Sequence, residues 1–175
     1  MKGGATTINI FTKILVGILA LLLWILPGSD SLNFFYNRAS LDRNQVVADV
    51  VDAINTRNVG KLQAMMCLDI QENVADLPAE ISNFYDAVLT LNGGPLTNYS
   101  IDIKKDVLAM SRPEFGRMQQ DILTIVFYCN SKKYEIPVTW AICSKGPEAG
   151  IRRIALTNKT DFIAMNEIVA TQYVA

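Results

Sequence analysis

The chain has 175 residues, of which 50% are hydrophobic, and its 16 basic and 17 acidic side chains give a formal charge of -1. This balance argues against a nucleic-acid binder with a broad basic face, so we expect no nucleic-acid partner. The sequence contains no histidine, which excludes histidine-dependent catalytic triads and histidine-ligated metal sites. Because it also has no phosphate-binding loop or dinucleotide fingerprint, we expect no metal and no cofactor.

The first element in chain order is a membrane segment. Residues 14–26 are an unbroken apolar run, preceded by Lys2 and Lys13 and followed by a Pro-Gly break. A transmembrane anchor and a cleaved signal peptide both fit this pattern, whereas a buried core helix suits a run without a polar face poorly. Residues 1–28 are therefore predicted as a membrane anchor or signal segment, and residues 29–41 as a linker. The expected protein crosses the cell membrane once with its C-terminal domain extracytoplasmic, or is secreted after cleavage.

Three helices are predicted after the linker. Asp42 is a suitable N-cap for the first, in which valines recur at three- and four-residue spacing as far as Ile54. A short second helix covers residues 61–67. The third begins at Asp76, has a proline in its first turn and stops before a Gly-Gly-Pro sequence.

Strands are predicted in the second half of the chain, over residues 97–103, 117–129, 134–143 and 151–157. The second and third form a hairpin in which Asn130 faces Lys133. In that register one face carries six apolar side chains: Leu123, Ile125, Phe127, Ile136, Val138 and Trp140. The resulting fold class is an α+β domain over residues 42–160, with three helices packed on a curved antiparallel sheet. Residues 161–175 form a C-terminal tail with the pattern of a short helix.

Several stretches resemble an uncharacterised bacterial family of cell-envelope proteins, domain of unknown function 5104. The family lies in the nuclear-transport-factor-2-like (cystatin-like) superfamily. The resemblance covers residues 42–161 and rests on the segments DAINTRNVGKLQAMM, DLPAEISNFYDAV, YSID, YEIPVTWAIC and GIRRIAL. It implies a cone of helices and curved sheet whose open end often holds a small apolar ligand or a substrate, but it implies no particular activity.

A binding module is the function we expect, with a small apolar ligand or a protein partner. The pocket between helices and sheet would be lined by Met66, Phe84, Tyr85, Leu123, Phe127 and Trp140. Alternatively, the same side chains fill a closed core. The superfamily resemblance also implies a homodimer through the outer sheet face, which carries Val126, Tyr128, Pro137 and Ala141.

The superfamily resemblance also implies a rival hypothesis, an enzyme of the ketosteroid-isomerase type that uses a carboxylate and a tyrosine in the cone. Asp121 is the candidate carboxylate, because strand alternation places it on the face of Leu123. Tyr85 or Tyr128 would be the hydrogen-bond donor. The simpler expectation is that Asp121 lies in water at the open end of its strand, and no residue is assigned as catalytic.

The three cysteines, Cys67, Cys129 and Cys143, are an odd number for an oxidising compartment. The hairpin register places Cys129 and Cys143 near its opposite ends, so we expect no disulfide between them. A pairing of Cys67 with Cys129 stays open at this point. Buried thiols are the expected state.

Overall fold

A computed structural model of the protein describes residues 41–112, 116–144, 149–161 and 163–170. The predicted membrane segment, and the linker up to residue 40, lie outside these ranges. No helix within the described ranges is both long enough and apolar enough to cross a membrane.

In the described part of the chain, four helices precede the sheet: α1 (Arg43–Asn55), α2 (Val59–Met65), α3 (Leu68–Asn73) and α4 (Leu77–Asn92). Five strands follow: β1 (Ser100–Arg112), β2 (Gly116–Cys129), β3 (Lys132–Cys143), β4 (Gly150–Asn158) and β5 (Ile163–Val169). The strands pair antiparallel in chain order, as a meander. The predicted α+β class, with helices followed by an antiparallel sheet, is confirmed.

The two long helices begin where their sequence signals predict. The Asp42 carboxylate accepts hydrogen bonds from the backbone N–H groups of Asn44 and Gln45, at 3.0 and 3.2 Å, and so caps α1. Helix α4 has a proline in its first turn and ends at Gly93, whose φ of +71° is left-handed. The valines of α1 and the apolar stripe of α4 are buried in one core against β2, β3 and β4.

Helix α3 is not predicted by the sequence. Its six residues are too few to show a helical period, and tertiary contacts support it instead. The Cys67 N–H donates to the Ile151 carbonyl at 3.0 Å, and Met66 bridges to the same residue. These contacts attach the junction of α2 and α3 to the start of β4.

The hairpin register differs from the predicted one by two residues. Cys129, rather than Asn130, begins the turn, and it lies opposite Lys132. The two turn residues, Asn130 and Ser131, have φ angles of +50° and +62°, which defines a type I′ turn. A shift of two residues leaves every side chain on its predicted face, which is why the hydrophobic pattern could not detect it.

The predicted helical tail is wrong for Ile163–Val169, which form strand β5. Ile168 lies opposite Ile154 and is buried in the core, and the edge of β4 supplies the backbone partners. The sheet therefore continues beyond residue 160. The apolar spacing of this segment fits both a helical and a strand period. It forms a strand because the free edge of β4 offers backbone hydrogen-bond partners.

Candidate functional site: the groove beside Trp140

Trp140 lies at an irregularity in the pairing of β3 with β4. Thr139 lies opposite Arg153, but Trp140 lies opposite Ile151, so β4 has one extra residue at this point. The Trp140 side chain is half-buried and packs against the core. The last residues of β3, from Trp140 onward, form one wall of a groove.

The beginning of α1 forms the other wall of a groove of about 430 Å³. This α1 wall consists of Leu41 and Asp42, which precede the helix, and of Gln45, Val46 and Asp49 within it. Spacings of three and four positions place the helical side chains on one face. The groove is lined by Leu41, Asp42, Gln45, Val46, Asp49, Trp140, Ala141, Ile142, Cys143 and Ala149. Its lining is mainly apolar, and its polar groups all come from the α1 wall.

A buried ion pair fixes α1 to the sheet next to this groove. Arg43 donates from Nε and Nη2 to Oδ2 of Asp121, at 2.7 and 2.6 Å. The Asp121 side chain is 0% exposed, so the expectation that it lies in water is wrong. The sequence shows the face on which Asp121 lies, but not that a helix covers it and supplies a guanidinium there.

The structure does not bring either candidate tyrosine to Asp121. The Tyr85 hydroxyl donates to the Asn58 carbonyl at 3.0 Å, and burial raises its pKa. Asn58 lies beyond the far end of α1, roughly 20 Å from Arg43 at 1.5 Å per residue. Tyr128 is exposed on the other face of β2, about 23 Å along the strand from Asp121. The acid–base pair of the enzyme hypothesis is therefore not assembled.

Five of the six predicted pocket residues are buried in the hydrophobic core, where they contact other side chains: Met66, Phe84, Tyr85, Leu123 and Phe127. The Phe127 ring stacks on Tyr134 with its centroid 5.5 Å away. Trp140 is the sixth, and it lines the groove. The α1 wall was not predicted as part of a site. Its one sequence signal was the capping residue Asp42, which predicts a helix start without indicating what lies opposite.

Carboxylates give the groove an acidic rim. Lys61 Nζ lies 2.9 Å from Oδ1 of Asp49 and 3.0 Å from Oδ2 of Asp52. The hydrogen bond from Lys61 lowers the pKa of Asp49 below its ordinary value, so this carboxylate is ionised at neutral pH. A second carboxylate, Asp42, lies one helical turn before Gln45 on the same rim. A ligand with a cationic or hydrogen-bond-donating end would suit these groups.

The described residues include no group of three or more His, Cys, Asp or Glu side chains that could hold a metal ion. Cys67, Cys129 and Cys143 all lie in the described ranges, and no disulfide joins them. Cys67 and Cys143 are buried and Cys129 is half-buried.

The outer sheet face offers less apolar surface than predicted. Val126 and Ala141 are buried, Pro137 is half-buried, and Tyr128 is exposed. Of the four residues named for a dimer, Tyr128 is therefore the one that is exposed to solvent.

No protein-family model matches the chain, and no curated protein sequence matches it. The geometry of the groove is therefore the main observation from which a function can be inferred.

Proposed function

We propose that the protein is a non-enzymatic extracytoplasmic module that binds a small apolar ligand in the groove beside Trp140. Residues 1–28 tether it to the membrane, or export it if they are cleaved. The proposal includes membership of the family named domain of unknown function 5104, with its cone-like superfamily fold, and the five sequence segments quoted above support this membership.

The observation that carries the proposal is the groove itself. Its volume of about 430 Å³ falls within the range of roughly 300–1,000 Å³ typical of small-molecule sites. Leu41, Val46, Trp140 and Ile142 supply apolar surface, while the interior between helices and sheet is filled by core side chains. An apolar ligand would therefore bind beside Trp140 rather than within the cone.

The acidic rim of the groove determines which polar end group a ligand can carry. Asp42 and Asp49 line the groove from α1, and the ammonium of Lys61 is held by Asp49 and Asp52. An amine or a neutral hydroxyl is compatible with these carboxylates, whereas a carboxylate or phosphate would be repelled.

Tryptophan fluorescence tests the proposal, because the chain has two tryptophans and W24F leaves Trp140 as the only one. The full-length W24F protein, in lipid nanodiscs, is titrated with the apolar fluorophore N-phenyl-1-naphthylamine. We expect saturable energy transfer from Trp140 to the bound fluorophore.

The matched controls are two alanine-to-phenylalanine changes in that background. Ala149 is exposed and lines the groove, so A149F fills it from the surface, whereas exposed Ala75 lies elsewhere. Saturable transfer should be lost with A149F and kept with A75F. Equal transfer in the two variants, or no saturable transfer in W24F itself, would reject the groove as the binding site.

A further inference from the structure

A second surface lies around Tyr128. At 67% exposed, Tyr128 is the most exposed of the large hydrophobic residues whose side-chain burial is described. Tyr128 is the second-to-last residue of β2 and lies just before the type I′ turn. Its side chain is on the sheet face opposite the core. An aromatic ring held this far into solvent on a regular strand does not stabilise the fold by burial.

Two grooves flank this ring. One, of about 400 Å³, lies toward the loop after α4 and is lined by Asn92, Gly93, Gly94, Pro95, Thr97, Asn98 and Tyr128. The other, of about 340 Å³, is lined by Asn98, Tyr99, Ser100, Val126 and Tyr128. Because Asn98 and Tyr128 line both, the two grooves adjoin and form one surface around the phenol ring.

The lining of both grooves has no charged side chain among the described residues. Lys133 lies directly opposite Tyr128 on the neighbouring strand, and its ammonium is 2.8 Å from the Glu135 carboxylate. The same carboxylate also pairs with Lys159 at 3.4 Å. The hydrogen bond to Glu135 raises the pKa of Lys133. The groove linings thus offer amides, hydroxyls and an aromatic face, and the charged side chains stand outside them.

The loop beside Tyr128 is held in one conformation. Asn92 Nδ2 donates to the carbonyls of Gly94 and Pro95 at 3.1 and 2.9 Å. The Asn55 amide donates to the Leu96 carbonyl at 3.2 Å and accepts from the Leu96 N–H at 2.7 Å. A pre-organised loop loses little entropy when a ligand binds.

Polar groups on this surface remain available for a ligand. Within the described residues, the side chains of Asn98, Ser100 and Tyr128 form no hydrogen bond to another protein group. They combine an amide, an aliphatic hydroxyl and a phenol, so the surface can both donate and accept.

We propose that this Tyr128 surface binds a neutral saccharide chain. A pyranose ring has an apolar C–H face that stacks on an aromatic ring, and hydroxyls around its edge that bond to amides and hydroxyls. One exposed ring bordered by uncharged polar groups matches that pattern. The two grooves share Asn98 and Tyr128 and leave room for further sugar units next to the stacked one.

Other ligand classes match less well. A nucleic acid or another polyanion requires basic side chains, and the lysine opposite Tyr128 is already ion-paired. A stable protein interface has an apolar core of several residues, whereas Val126 is buried and Tyr128 supplies the exposed apolar area. The uncharged lining therefore favours a neutral ligand with alternating apolar and hydroxyl edges.

Calorimetric titration of the full-length protein with hexamers of β-1,4-linked N-acetylglucosamine and of β-1,4-linked glucose tests the proposal. We expect at least one hexamer to bind wild type. Y128A should weaken that binding by about tenfold or more, as for an aromatic anchor. Y128F keeps the ring and should remain within about threefold of wild type.

The matched control is I163A, which removes an exposed apolar side chain from β5 and should leave saccharide affinity unchanged. A149F should also leave it unchanged, because the groove beside Trp140 is separate. Failure of both hexamers to bind wild type, or equal affinity in Y128A and wild type, would overturn the proposal. Loss of self-association in Y128A by analytical ultracentrifugation, without saccharide binding to wild type, would assign the surface to a second copy of the chain.

Discussion

The two ends of the β2–β3 hairpin each carry an aromatic side chain, but in opposite settings. At one end Trp140 is half-buried beneath the start of α1, beside acidic groups and a buried ion pair. At the other end Tyr128 is exposed among uncharged amides and hydroxyls. The helix layer makes the difference, because α1 covers the first end and a Gly-Gly-Pro loop borders the second. One hairpin can thus present two surfaces with different binding preferences.

The largest expected effect comes from breaking the ion pair at the Trp140 end. R43A leaves the Asp121 carboxylate buried without its guanidinium, so the free energy of unfolding should fall by about 3–5 kcal/mol. Urea denaturation measures this loss. The exposed pair Arg57–Asp86 is the control, and R57A should cost at most about 1 kcal/mol. A similar cost for both variants would mean that burial does not set the strength of the Arg43 pair.

Substitution of one glycine near each end of the hairpin compares how tightly the backbone is packed at the Trp140 end and at the Tyr128 end. Gly150 has a φ of +122°, and a Cβ there would lie 2.7 Å from the Met65 carbonyl oxygen, so G150A should cost about 2–3 kcal/mol. Gly93 borders the Tyr128 surface with a φ of +71° and open space around it, so G93A should cost about 1 kcal/mol. Thermal denaturation of both variants shows which one loses more stability. A larger loss for G93A than for G150A would contradict the close approach between position 150 and the Met65 carbonyl.

A smaller effect is expected from releasing the loop at the Tyr128 end. N55A removes both hydrogen bonds to Leu96, and the free energy of unfolding should fall by about 1–2 kcal/mol. Saccharide affinity should fall as well, although Asn55 lies outside the two grooves flanking Tyr128, because the loop is then ordered only on binding. Energy transfer from Trp140 in the W24F background should be unchanged. Equal losses at both surfaces would indicate general destabilisation.

The smallest effect concerns the acidic rim. Lys61 lowers the pKa of Asp49 through their hydrogen bond, so K61M should raise that pKa toward its ordinary value of 3.8. A group with a lowered folded-state pKa contributes stability above its unfolded pKa, and this is lost as the pH falls through the folded value. The contribution from Asp49 is therefore complete at neutral pH and disappears in acid below about pH 4. An NMR titration of the Asp49 carboxyl carbon, compared between wild type and K61M, measures the change. An unchanged midpoint would show that Lys61 does not act on this group.

Local chemistry predicted much of the fold. Asp42 and the proline after Asp76 marked the starts of α1 and α4, and alternation placed Leu123, Ile125 and Phe127 on the core face. Features that depend on a distant partner were missed. The β2–β3 register depends on which two residues form the turn, and β5 depends on the free edge of β4.

In the candidate site, too, local features could be predicted from the sequence, and contacts between distant segments could not. Trp140 was named from its position on the apolar face, but the groove exists because α1 lies opposite it. Asp121 was singled out on the correct face, and its burial follows from Arg43, a residue 78 positions earlier in the chain. Tyr128 was assigned to the outer face, whereas its two grooves arise from a loop that joins α4 to β1. Composition and periodicity describe one element at a time, and each surface here is built from several.

The Arg43–Asp121 pair also has a mechanical consequence. The chain enters the described domain at Leu41, two residues before Arg43, whose guanidinium is fixed to β2. A pull on the domain from its N-terminal side therefore reaches β2, which is paired on both sides, instead of peeling α1 from the sheet. If residues 1–28 hold the protein at a membrane, we expect force on that anchor to be shared between α1 and the sheet through this pair.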